Sequence, residues 1–184
     1  MKNRQAPLLL FLALTTLAGC TRYLDEGSVR EFIDLADNAA RKRYAPEICE
    51  LRARDFTLEL QYKSFGSTRR PEKMTMDRKL YCHEAGTFAR LRQYKLERTY
   101  LDIQVADDGK TAKVTAEYRE TMPHYEDGMM GRTPDDFRDF VVIVSRDESV
   151  VGIEDGDLRF LSAQVKAREL ELILKTAETN LPYD

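Results

Sequence analysis

The chain is poor in the residues that usually announce a chemistry. It has two histidines and three cysteines in 184 residues. His83 and His124 lie far apart, and neither has a partner at a ligand spacing such as H-x-x-x-H, so no metal site or His-based catalytic motif is legible. A Cys82–His83 nucleophile pair is also disfavoured, because neighbours on a helix point in different directions. Cys49 and Cys82 lack the close-spaced partners of a zinc site. Glycine (9) and proline (6) are too scarce for a collagen-like chain. Positive charge is not in excess: 29 Lys and Arg stand against 32 Asp and Glu, and the sequence pI is about 5.6. A broad nucleic-acid surface is therefore not expected. No cofactor is implied.

What is present is one domain's worth of chain. A hydrophobic content of 42% with 33% charged residues excludes wholesale disorder. The N-terminus reads MKNRQAPLLLFLALTTLAGC. Lys2 and Arg4 are followed by an uncharged, leucine-rich stretch from Ala6 to Ala18. That stretch is shorter than the about 20 residues needed to cross a bilayer. A positive start, a short apolar core and small residues before a cut site describe an export signal.

Leu17-Ala18-Gly19-Cys20 resembles the lipobox of bacterial lipoproteins, and all four positions match. The resemblance implies a signal peptide over 1–19, acylation of Cys20, and a tether over 20–27. Thr21, which is not Asp, implies sorting to the outer membrane, facing the periplasm. The alternative is a plain signal peptide with an incidental Cys20. Cleavage leaves 165 residues with 27 basic and 32 acidic side chains, a net charge of −5. Several acyl chains hold firmly where one is marginal. Export also puts Cys49 and Cys82 in an oxidising space, where a disulfide can persist. The alternative for these two is a pair of buried thiols.

Residues 28–184 read as a single domain. Ser28 with Glu31 fits a capping box. Val29, Phe32, Ile33, Ala36 and Ala40 then recur at helical spacing, predicting a helix over 28–44. Pro46-Glu47 opens a second, short helix to about Arg54. Phe56, Leu58, Leu60 and Tyr62 alternate with polar residues, predicting a strand over 55–62. Residues 64–73 read as a loop, and 77–91 as a helix. A strand follows over 94–105 whose apolar phase changes, which predicts a bulge near Thr99–Leu101. Asp107-Asp108-Gly109-Lys110 is a hairpin turn. Over 111–122, Ala112, Val114, Ala116, Tyr118 and Glu120 share one parity. Residues 123–134, with Met129-Met130, read as an exposed loop. Residues 137–153 fit either one long bent strand or a hairpin turning at 146–149. A turn at 154–157 precedes a strand over 158–167, and 168–179 fits either a helix or an extension of that strand.

Helices followed by a run of antiparallel strands form an α+β order. With the bent strand at 94–105 and the Asp-Gly turns at 108–109 and 155–156, this order resembles the nuclear transport factor 2-like superfamily, the cystatin-like α+β cone. The resemblance implies helices packed on a curved antiparallel sheet that encloses a conical pocket. It also makes a Cys49–Cys82 bridge between the second and third helices geometrically reasonable. Members include ketosteroid isomerases, dehydratases and many non-catalytic domains.

Within that frame Glu120 is the candidate acid or base, since an apolar pocket disfavours its charged form. Tyr118 is the candidate donor to an oxyanion. The alternative puts Glu120 in water at the sheet's end, or paired with Arg98. Tyr81, Phe88, Tyr94 and Tyr100 are candidates to line a ligand pocket, or simply core. Arg69-Arg70 and Arg41-Lys42-Arg43 are small basic runs, solvated or touching anionic lipid. Three functions follow as expectations. The first is a lipid-anchored, non-catalytic domain binding a small apolar ligand or an envelope protein. The second is an isomerase- or dehydratase-like enzyme using Glu120 and Tyr118. The third is a structural accessory of an envelope assembly.

Overall fold

The computed structural model describes residues 23–90, 94–123 and 139–174. The signal segment, Cys20, His124, Met129-Met130 and the chain after Leu174 lie outside the described residues.

Helix α1 spans Glu26–Lys42. Its cap lies one turn earlier than the sequence predicted. Asp25 is the N-cap, and the reciprocal pair is Asp25 with Ser28, not Ser28 with Glu31. The Ser28 amide donates to the Asp25 carboxylate at 2.6 Å, and the Asp25 amide donates back to the Ser28 hydroxyl at 3.0 Å. Leu24, just before the cap, is buried in the same cluster as Val29, so an apolar staple fixes the earlier start. Helix α2, Ala45–Glu50, begins with Pro46 in its first turn. It ends short of Arg54, because strand β1 already starts there and runs Arg52–Lys63.

Part of the expected 64–73 loop is strand β2, Glu72–Asp77, which pairs antiparallel with β1. Its run Glu-Lys-Met-Thr-Met-Asp buries only Met76, so it carries almost no apolar signal. Helix α3, Arg78–Phe88, is capped by Asp77, whose carboxylate accepts from the Leu80 amide at 2.8 Å. The remaining strands are β3 (Lys95–Val105), β4 (Thr111–Pro123), β5 (Asp139–Glu154) and β6 (Asp157–Leu174).

The six strands form one sheet in the order β2-β1-β6-β5-β4-β3. Only β1 and β6 pair in parallel. Strands β5 and β6 exceed the usual strand length several-fold, and they stay one sheet by bending at register shifts, at Val142/Ile143 and Val150/Val151. The bulge expected in β3 lies between Tyr100 and Asp102. Residues 139–154 are thus one long bent strand, and the chain past Ala167 extends β6. The turn between β5 and β6 has Asp155 at φ 52° and Gly156 at φ 88°, the pair of positive angles a two-residue hairpin needs.

The curved sheet cups the helices. Val29, Ile33, Phe56 and Val151 meet between them and are almost fully buried. Each such side chain contributes about 1.5–3 kcal/mol by leaving water. Cys49 on α2 and Cys82 on α3 form a disulfide, with Cα atoms 5.4 Å apart. The two helices it joins form one wall of the cup.

Candidate functional site

The inner face of the sheet and the three helices do not fill the space between them. A cavity of about 330 Å³ remains. Ala36 and Asp37 of α1, Ile48 of α2, and Tyr81, Ala85 and Phe88 of α3 form its helical side. The sheet side supplies Phe56, Leu58, Tyr118, Phe160 and Val165. Such a size and a mostly apolar wall suit a small organic ligand.

Buried acids enter this wall from three elements. Glu120 lies on the inner face of β4, in register with Leu96 of β3 and Ile143 of β5. Its carboxylate accepts from the Tyr94 hydroxyl at 2.8 Å. Burial pushes Glu120 above the usual carboxylate range, and the Tyr94 hydrogen bond pulls the other way. Asp147 lies on the inner face of β5 and accepts from the Ser145 hydroxyl at 2.7 Å. Burial raises it to about 7, with Ser145 opposing and the Glu120 charge adding to the rise. Asp37, at helical spacing from Ile33 on the buried face of α1, is raised by burial to about 6. Arg98 of β3 and Arg41 offset that rise. Arg98 donates to Asp37 at 2.5 Å and also bonds Asp34.

The phenols behave as the low dielectric demands. Burial drives Tyr94 and Tyr118 far above their ordinary range, so both stay protonated donors at any physiological pH. Arg52 at the start of β1 forms the floor. Its guanidinium stacks against Phe160 at 4.2 Å, Tyr81 at 4.7 Å and Phe56 at 5.3 Å, and it donates to the Tyr81 hydroxyl at 2.7 Å. Ring faces compensate this cation in place of a carboxylate.

The structure brings together most of the residues singled out from sequence. Glu120, Tyr118, Tyr81, Phe88 and Tyr94 all line the cavity. The pairing differs from expectation: the donor to Glu120 is Tyr94, while Tyr118 lies in the field of Asp37, Asp147 and Arg98. Arg98 is held by Asp34 and Asp37, not by Glu120. Tyr100 does not line the cavity. Its ring lies between the guanidiniums of Arg98 (4.1 Å) and Arg30 (4.5 Å), and its hydroxyl donates to the Arg30 carbonyl at 3.3 Å. Tyr100 keeps the inward parity of Leu96 and pairs with Ala116, but it packs against α1 at Arg30, beyond the cavity. His83 is exposed, as are Arg69 and Arg70. Among the described residues no group of three or more His, Cys, Asp or Glu side chains is arranged to hold a metal ion.

Asp37, Asp147 and Arg52 went unnoticed in the sequence. Asp37 carried a signal, since it falls four residues after Ile33 on the apolar stripe. Asp147 was concealed by context: Ser-Arg-Asp-Glu-Ser over 145–149 reads as a turn. It is instead a strand whose inward residues Ser145, Asp147 and Ser149 are polar because they face the cavity or one another.

No protein-family model matches the chain, and no curated protein matches it by sequence. Its likeness lies in the fold. A conserved protein from Planctomyces limnophilus superposes with a TM-score of 0.58 at 10% identity, over 79% of this chain and 98% of that one. A ketosteroid isomerase-like protein from Erwinia carotovora gives 0.53 at 9% identity, over 80% and 99%. A nuclear transport factor 2-like protein from Silicibacter pomeroyi gives 0.51 at 12% identity, over 78% and 94%. The described domain therefore has the nuclear transport factor 2-like fold, an α+β cone of helices on a curved, mostly antiparallel sheet.

Proposed function

We propose that this protein is a lipid-anchored component of a bacterial envelope that holds a small, largely apolar molecule in its cone without transforming it. The lipobox at Leu17–Cys20 supports the anchor, on the outer membrane and facing the periplasm. The observation that carries the ligand is the unfilled cavity of about 330 Å³, aromatic over much of its wall, with Glu120 and Asp147 turned into it. A purely structural accessory would gain from a filled core, so the cavity favours a ligand over that role. The ligand is apolar along most of its length and carries one polar end that reaches the carboxyls. Organic extraction of the protein purified from its native membranes, followed by mass spectrometry, tests this. One co-purifying small molecule at near-equal stoichiometry is the expected result, and an empty protein that takes up no apolar compound contradicts it.

A second reading, an isomerase- or dehydratase-like enzyme, is favoured by the Tyr94–Glu120 hydrogen bond. A buried carboxyl with a raised pKa, held by a phenol, has the setting of a general base or acid. Tyr118 would then polarise the substrate's oxygen from the same strand. Proton abstraction beside a carbonyl should fall by about 100-fold or more in Glu120→Gln if this holds. An unchanged rate removes Glu120 from any catalytic role.

A further inference from the structure

The outer face of the sheet, away from helices and cavity, carries a block of basic side chains laid out by strand register. Arg146 on β5 lies opposite Lys166 on β6. Glu117 of β4 lies beyond Arg146, and Gln61 of β1 beyond Lys166. Two residues along, Arg168 on β6 lies opposite Lys63 on β1. All four cations are exposed, and they line one shallow groove of about 400 Å³. Like charges placed directly opposite across strands repel each other. The fold does little to relieve them. Among the described residues, Lys63, Arg146, Lys166 and Arg168 make no ion pair and no side-chain hydrogen bond. Among the described residues, Glu117 is the single acid lining the groove. Glu148, one row nearer the hairpins, lies in the field of Arg146 and Lys166, but Lys113 already binds it at 3.0 Å. In a chain of net charge −3 this face is a local reversal of sign.

We propose that this basic face binds the phosphate groups of anionic lipids, laying the sheet along the bilayer that carries the anchor. Charge complementarity sets the sign of the partner, and the layout sets its form. The cations sit on three adjacent strands about 5 Å apart and in two rows about 7 Å apart, an open and nearly planar array. A plane of headgroup phosphates fits such an array better than one enclosed anion. The entry of the chain agrees. The Leu24 amide donates to the Gly109 carbonyl at 2.7 Å, and the Tyr23 ring lies against Gly109, so the tether meets the domain at the β3–β4 hairpin. Cys20 is three residues before Tyr23, within about 10 Å of that point. The basic rows begin six residues along β4 from Thr111, about 20 Å away. Anchor and basic face are then two separated contacts along one long dimension of the sheet. Two contacts fix an orientation that lipid alone leaves free, with the helices turned from the membrane. Basic residues close to an anionic surface add attraction that salt weakens.

This geometry rests on the lipid anchoring proposed above. The test uses the processed protein extracted from membranes and reconstituted into vesicles of phosphatidylcholine alone or with phosphatidylglycerol. Lysines are acetylated briefly and mapped by mass spectrometry. Labelling of Lys63 and Lys166 should fall several-fold in the anionic vesicles, while Lys42 and Lys79 on the helical side stay unchanged. Lys166→Glu with Arg168→Glu should restore labelling of Lys63. Equal labelling of Lys63 and Lys166 in both vesicles, with the protein floating in both, overturns the proposal and leaves the anchor standing. Equal protection by inorganic phosphate in phosphatidylcholine vesicles also overturns it, in favour of a soluble anion. Failure to float with phosphatidylcholine vesicles removes the anchor, and protection by anionic vesicles then judges the basic face alone.

Discussion

Asp37 and Asp147 are acids that the fold holds where charge is costly, and they set the pH response of the molecule. Their folded-state values, about 6 and about 7, lie above the ordinary value of 3.8. The stability they lend is complete below the unfolded pKa and is lost as pH rises through the folded one. Asp25, Glu97 and Glu148 are shifted downward, and their contributions are lost only in stronger acid. The urea midpoint should therefore decline as pH rises from about 4 to about 7, and Asp147→Asn should flatten that dependence. A midpoint that climbs over the same range contradicts the assignment. Arg98 matters for a related reason. It is the buried partner of Asp37, so Arg98→Met should cost about 3–5 kcal/mol in urea unfolding, and adding Asp37→Leu should recover much of the loss. Additive losses in the double variant would show that the two side chains do not act as a pair.

At the scale of elements, legibility followed periodicity. Helix α1 and strands β1 and β4 show one apolar face each, and their existence could be read directly. The bulge in β3 was visible as a change of phase. Strand β2 was not, because an edge strand that buries only Met76 carries no alternation. Strand β5 left two readings open, because its cavity-facing stretch is polar and a polar run resembles a turn. The site was legible where it interrupts an apolar pattern, at Glu120, and illegible where its neighbours are polar too, at Asp147. The disulfide joins the two short helices that wall the cavity, and each alone is too short to be stable in water. Replacing Cys49 and Cys82 with Ser should cost about 2–4 kcal/mol, read from urea midpoints with and without reductant. Peptide mapping without reduction should recover Cys49 and Cys82 in one linked pair, and two freely alkylated thiols in exported protein would contradict the bridge.

The whole molecule is a cone whose edges, faces and interior have different tasks. The helical side and the inner sheet face enclose the cavity, the outer sheet face is charged, and the chain enters at a hairpin. Cys20→Ala should abolish lipid labelling and release the protein from membranes. Continued acylation of that variant would remove the anchor from the account. On the proposed function, the space between sheet and helices is a binding site and not a packing defect. Ala163 of β6 lines that space, so a larger side chain there fills it. Native mass spectrometry of the membrane-extracted protein, stripped of any co-purifying molecule and then incubated with the neutral apolar probe N-phenyl-1-naphthylamine, measures this directly. The wild-type chain should carry one equivalent and Ala163→Trp none. Equal occupancy of the two proteins, or none in either, would contradict the claim.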